Sequence, residues 1–98
     1  MTSKQRAYLK GLAMTIDPIF QIGKASVTPE LTTAVAEALE ARELIKLSIL
    51  KNCMDDGNER ASVLAERTQS QVVQVIGKKI VLYKQAKDEK KRKIVLPK

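Results

Sequence analysis

The sequence contains no histidine, no tryptophan and a single cysteine. Cys53 therefore has no partner for an internal disulfide, and it is read as a small, partly buried residue without chemistry. Zinc sites built from Cys and His are excluded by composition, as is His-based acid–base catalysis. Aromatic residues make up 3% of the chain (Tyr8, Phe20 and Tyr83), too few for a platform on which bases stack. No apolar run is long enough to cross a bilayer. The N-terminal stretch MTSKQRAYLK lacks the apolar centre of a secretory signal. These absences point to a cytoplasmic protein with no cofactor and no metal, and no membrane as partner.

What is present in excess is positive charge. Lys and Arg total 18 against 11 acids, a net charge of +7 over 98 residues. On a chain sized for one domain with one core, that excess by itself favours a polyanionic partner, either nucleic acid or an anionic membrane surface. The charge is uneven. The segment from Lys84 onward holds seven basic and two acidic residues, so it carries +5 of the excess. Residues 1–84 are expected to form the domain and residues 85–98 a basic tail that contributes little to the core. A short edge strand at KIVLP is the one structural element the tail could add.

Hydrophobic spacing gives the element order. Tyr8, Leu9, Leu12, Ala13 and Ile16 recur at helical intervals and predict a first helix over 3–15, with Ser3 as N-cap and a stop at Asp17-Pro18. A strand is predicted over 19–22. Thr28-Pro29-Glu30 is a helix start, with Thr as N-cap and Pro at the first helical position. The helix that follows runs to about Arg42, with Leu31, Ala34, Val35, Ala38 and Leu39 inward and Glu37 and Glu40 outward. LIKLSIL (44–50) reads as a second strand. Asp55 or Asp56 caps a third helix over 57–69, with Ala61, Leu64 and Ala65 inward. VVQVI (72–76) and IVLY (80–83) read as strands joined by Gly77-Lys78, a two-residue loop suited to a type II′ hairpin.

The predicted fold is α/β: a single compact domain in the order α-β-α-β-α-β-β, with a four-stranded mixed sheet. Strands joined through helices should pair in parallel, first to second and second to third, leaving only the last hairpin antiparallel. The strands are mostly apolar on both sides, so helices should cover both faces, with the second and third on one and the first on the other.

Four constellations invite a functional reading. Gly23, Lys24, Ala25 and Ser26 lie between a strand and a capped helix. Glycine lets backbone approach a phosphate closely, Lys24 supplies charge, Ser26 a hydroxyl, and the helix N-terminus its unpaired N–H groups. An ordinary strand–helix turn is the competing reading. The loop is neither a Walker loop nor a dinucleotide fingerprint, since the further glycines are absent. It is closer to a G-x-x-G nucleic-acid clamp with Ser26 at the second glycine. Lys4, Arg6 and Lys10 on the first helix could contact a polyanion or form a solvated face. Lys78 and Lys79 could do so at the hairpin or serve the turn alone. The basic tail could add affinity for nucleic acid or only solubility. No nucleophile–base pair is readable.

The stretches KQRAYLKGLA, PIFQIGK, ALEARELIKL and LAERTQSQVVQVIGKKIVLYK, from Lys4 to Lys84, together resemble the YhbY-like proteins, the single-domain bacterial form of the CRM (chloroplast RNA splicing and ribosome maturation) domain. The resemblance implies a fold like the C-terminal domain of translation initiation factor three. It implies a noncatalytic RNA-binding protein associated with ribosomal RNA in precursors of the large ribosomal subunit. The family's G-x-x-G loop maps onto Gly23, Lys24, Ala25 and Ser26, with serine replacing the second glycine. Its basic positions fall on Arg6, Lys10, Arg42 and Lys46. A monomer is expected. Two other classes stay open: a small enzyme using the Gly23 loop for a nucleotide phosphate, and a protein–protein adapter docking through its basic tail.

Overall fold

In the computed structural model, residues 2–22, 28–50 and 57–87, together with 90, 92 and 94, are described. The loop residues Gly23, Lys24, Ala25 and Ser26, the capping candidates Asp55 and Asp56, Cys53 and the end of KIVLP lie outside them.

The first helix, α1 (Ser3–Ala13), begins one residue earlier than expected at its cap. Thr2, rather than Ser3, accepts the Gln5 N–H, and the Gln5 side chain accepts the Thr2 N–H at 3.0 Å, closing a reciprocal capping box. Leu9 and Ala13 are buried, and Leu12 and Ile16 pack beside them, but Tyr8 is 42% exposed and lies off the stripe. β1 (Phe20–Ile22) leads towards α2 (Pro29–Arg42), whose Thr28 cap and first-position proline are as expected. β2 (Leu44–Ile49), α3 (Gly57–Thr68), β3 (Gln71–Ile76) and β4 (Lys79–Tyr83) follow. Gly77 has φ +53° and Lys78 is not left-handed, the combination a type II′ hairpin requires.

The sheet order is β1-β2-β4-β3. β1 and β2 are parallel, as expected. The second expected parallel pair is not formed, because β4 inserts between β2 and β3 and is antiparallel to both. β2 and β3 still point the same way, but they do not touch. The physical reason lies in β4. Ile80 and Leu82 face one side and Val81 and Tyr83 the other, and all four are buried. Such a strand needs neighbours on both edges and cover on both faces. β3, with Gln71 and Ile76 exposed, suits an edge.

Two layers of core result. Ile22, Ile45, Leu47, Ile80 and Leu82 meet Val35 and Leu39 of α2 and Ala61 and Leu64 of α3 on one face. Leu44, Val73, Val81 and Tyr83 meet Leu9 and Ala13 of α1 on the other. Each large aliphatic side chain so buried contributes about 1.5–3 kcal/mol. The result is a single compact domain with helices on both faces of a mixed sheet.

The C-terminal segment is tied to this domain more closely than its composition suggests. Ala86 is buried and Ile94 packs on the α1 core layer. Glu43, fully buried at the end of α2, has φ +66°. Its backbone carbonyl accepts the Lys84 N–H at 2.8 Å, and its carboxylate accepts the N–H groups of Ala86 (2.9 Å) and Ile94 (3.0 Å). The Arg92 side chain donates to the Ala86 carbonyl. Among the described residues no helix is long and apolar enough to cross a membrane.

Candidate nucleic-acid interface

α1 is shorter than the face it covers. Side chains alternate along a strand, so the register defines rows across the sheet on the α1 side. Leu44 and Tyr83 form one row, directly under α1. Lys46, Val81 and Gln74 form the next. Gln21, Ser48, Lys79 and Ile76 form the last and cross all four strands. This last row is open: Gln21, Lys79 and Ile76 are exposed and Ser48 is half-buried. Lys46 and Lys79 are diagonal neighbours on adjacent strands, with Cα atoms roughly 7–8 Å apart. Ala13 and Met14 at the end of α1 close one side, leaving a concavity of about 220 Å³. Among the described residues its lining has two cations, one amide, four apolar residues and no carboxylate.

A β-bulge shapes the edge of this surface. The β3–β4 register shifts between Val72 and Gln74, which leaves Val73 as an extra residue. Val72 packs towards α2 and α3, Val73 is buried under α1, and Gln74 turns towards the concavity. A bulge re-aims side chains in this way and interrupts the ladder locally. Arg6 occupies the interruption: its Nη1 donates to the Val72 carbonyl at 2.7 Å and the Val73 carbonyl at 3.1 Å. Lys10 and Met14 follow Arg6 at four-residue intervals, on the same row of α1.

The expected site residues thus fall into groups. Lys46 and Lys79 share the concavity, and Lys10 is exposed on the helix row beside it. Arg6 sits on the same row with its guanidinium engaged by the bulge. Arg42, exposed at the end of α2, lines a second hollow of about 370 Å³ with Lys46, Ile16 and Asp17. Lys78 is exposed in the hairpin, and its carbonyl accepts the Ile49 N–H at 2.7 Å. Ile22, after which residues 23–26 follow, pairs with Ile49 and so ends at the same end of the sheet as Lys78. Lys4 is exposed four residues before Tyr8, on a different flank of α1. Sequence reasoning missed Met14, Gln74, Ile76, Gln21 and Ser48. The polar residues among them left a trace, since they interrupt otherwise apolar strands. Met14 and Ile76 left none, because an apolar side chain at helical or strand spacing reads as core.

Residues 1–84 match the CRS1 / YhbY (CRM) domain. The "Probable RNA-binding protein YqeI" of Bacillus subtilis is 49% identical over 90 residues, spanning 92% of this chain and 94% of that one. An "RNA-binding protein" of Haemophilus influenzae is 29% identical over 90 residues, spanning 92% and 91%. The solution structure of a hypothetical protein from Staphylococcus aureus superposes with a TM-score of 0.80 at 46% identity, covering 99% of each chain. The chain is a member of the CRS1/YhbY (CRM) domain family.

Proposed function

We propose that the protein is a noncatalytic RNA-binding protein of the cytoplasm that associates, as a monomer, with ribosomal RNA in precursors of the large ribosomal subunit and grips mainly backbone phosphates. The observation that carries this reading is the open half of the sheet. Lys46 and Lys79 stand there as diagonal neighbours in a hollow with no carboxylate among its described lining residues, and Lys10 lies on the adjoining helix row. Ammonium groups bind a polyanion through charge and a side-chain amide orients it through hydrogen bonds. Arg42 and Lys78 extend the charge to either side. Gly23, Lys24, Ala25 and Ser26, which resemble a G-x-x-G clamp in sequence, are proposed to add backbone N–H groups and a cation to this grip. Arg6 acts by holding α1 to the bulge, and Lys4 adds charge from the other flank. The family membership and the names of the relatives support RNA as the polyanion.

The test is binding to a structured large-subunit ribosomal RNA fragment across a salt series. Each neutralised phosphate should contribute roughly −0.7 to −0.9 to the slope of log affinity against log salt. A slope of several units is expected, with nuclease-sensitive co-sedimentation with large-subunit precursors. A flat salt response, or co-sedimentation that survives nuclease, contradicts the reading.

A further inference from the structure

We propose that the hollow between α1 and β3 receives an unstacked nucleobase of single-stranded RNA, held between Met14 and Ile76. The proposal rests on the RNA-binding function above and adds a base contact to a surface otherwise read as gripping phosphates. Met14 is 84% exposed and Ile76 59%. They are the two most exposed large hydrophobic residues described, and both line the hollow that Lys46 and Lys79 share. Ala13 and Val81, both buried, form its floor. Gln74, re-aimed by the bulge, brings an amide that donates and accepts, as the edge of a base requires.

The occupant follows from this combination. A phosphate alone has no use for two aliphatic walls, and an apolar peptide has no use for two flanking ammonium groups. A nucleotide needs both: the base is a flat, weakly hydrated body and its phosphates are anionic. Met and Ile serve elsewhere as apolar wedges against unstacked bases. Met also adapts its three rotatable bonds to the shape it meets. A duplex cannot use the site, because its bases are stacked inside and A-form RNA has a major groove too narrow for side chains. The distribution also accounts for RNA recognition by a chain with few aromatic residues.

The experiment compares two variants on two probes. The probes are an unstructured RNA oligonucleotide carrying one 2-aminopurine and a blunt RNA duplex of the same length. Met14→Ser/Ile76→Ser removes the walls and leaves the charge. Both side chains are exposed, so its melting temperature should be unchanged. It should lose roughly tenfold in affinity for the single strand, as expected for apolar surface no longer buried. Its salt slope and its duplex affinity should stay as in the unaltered protein. Lys46→Gln/Lys79→Gln should instead weaken both probes and flatten the slope. In the unaltered protein, 2-aminopurine fluorescence should change on binding, and this response should vanish in the wall variant. If the wall variant binds the single strand as tightly as the unaltered protein, or weakens on both probes alike, the base contact is wrong while RNA binding stands. If the unaltered protein binds neither probe at low salt, both readings fall together.

Discussion

Arg6 is the residue that most changes meaning between sequence and structure. Its charge and its helical position invite a phosphate contact, yet one nitrogen bridges the two carbonyls of the β3 bulge. Lysine keeps the charge but lacks the planar fork. Arg6→Lys should therefore lose about 1–2 kcal/mol in urea unfolding, with little change in RNA affinity under folding conditions. Unchanged stability with weakened RNA binding would make Arg6 a phosphate contact instead. Tyr83 gives a second test. It is 4% exposed, and its hydroxyl has no hydrogen-bond partner among the described residues. Burial pushes its pKa above the ordinary value of 10.0, the Glu43 carboxylate adds to this, and Arg92 opposes it. The folded state thus holds the phenolic proton more tightly than the unfolded chain does. This linkage contribution is full below the unfolded pKa and is lost as pH rises through the folded one. Tyr83→Phe should leave stability at pH 7 unchanged or raise it by up to about 1 kcal/mol. It should also reduce the loss of stability on going to alkaline pH. A Tyr83→Phe protein that loses stability in alkali as steeply as the unaltered one would show that the phenol does not titrate as described.

At the scale of elements, the helices and strands were legible and their neighbours were not. Thr28-Pro29 and Gly77-Lys78 announce a helix start and a hairpin through local backbone chemistry, which sequence spacing exposes directly. The Thr2 cap was equally readable from its four-residue box with Gln5. Strand order is not local. Nothing in the βα units says that β4 returns between β2 and β3; the clue was that KIVLY is apolar on both sides while QVVQVI is not. The bulge at Val73 was invisible, since an extra residue changes pairing and not composition. The open half of the sheet followed from neither, because it depends on how far α1 reaches. The C-terminal segment teaches the same lesson. Its basic composition hides Ala86 and Ile94, whose N–H groups meet the buried Glu43 carboxylate. Truncation after Lys84 should lower stability by about 2 kcal/mol or more, since a buried carboxylate loses two donors and the α1 core layer loses Ile94. A truncated protein that melts at the same temperature would show that this segment is dispensable.

At the scale of the molecule, charge is two-sided. The layer of α2 and α3 carries Glu30, Glu37, Glu40, Glu59 and Glu66, with Arg67 among them and Arg60 buried beneath, while Arg42 at the end of α2 turns to the hollow it shares with Lys46. The opposite side carries Lys4, Lys10, Lys46 and Lys79, with Asp17 at its margin. Such a distribution orients the protein on a polyanion before contact. Glu37→Ala, on the far side, should change RNA affinity little. Lys24→Ala, in the glycine loop, should weaken it severalfold with the melting temperature unchanged, and Lys24→Glu should weaken it more; equal affinity of Lys24→Glu at low salt would reduce the Gly-Lys pair to a turn.

The central claim is that the open half of the sheet grips RNA phosphates through Lys46 and Lys79. Glutamine keeps most of each stem and removes the charge, so Lys46→Gln/Lys79→Gln should preserve the apolar cover that the half-buried Lys46 stem provides. The direct measurement is the salt dependence of its affinity for a structured large-subunit ribosomal RNA fragment, beside that of the unaltered protein. The slope should become shallower by roughly 1.4–1.8 units for two lost phosphate contacts, with the melting temperature unchanged. A slope and affinity equal to those of the unaltered protein would contradict the assignment of this face.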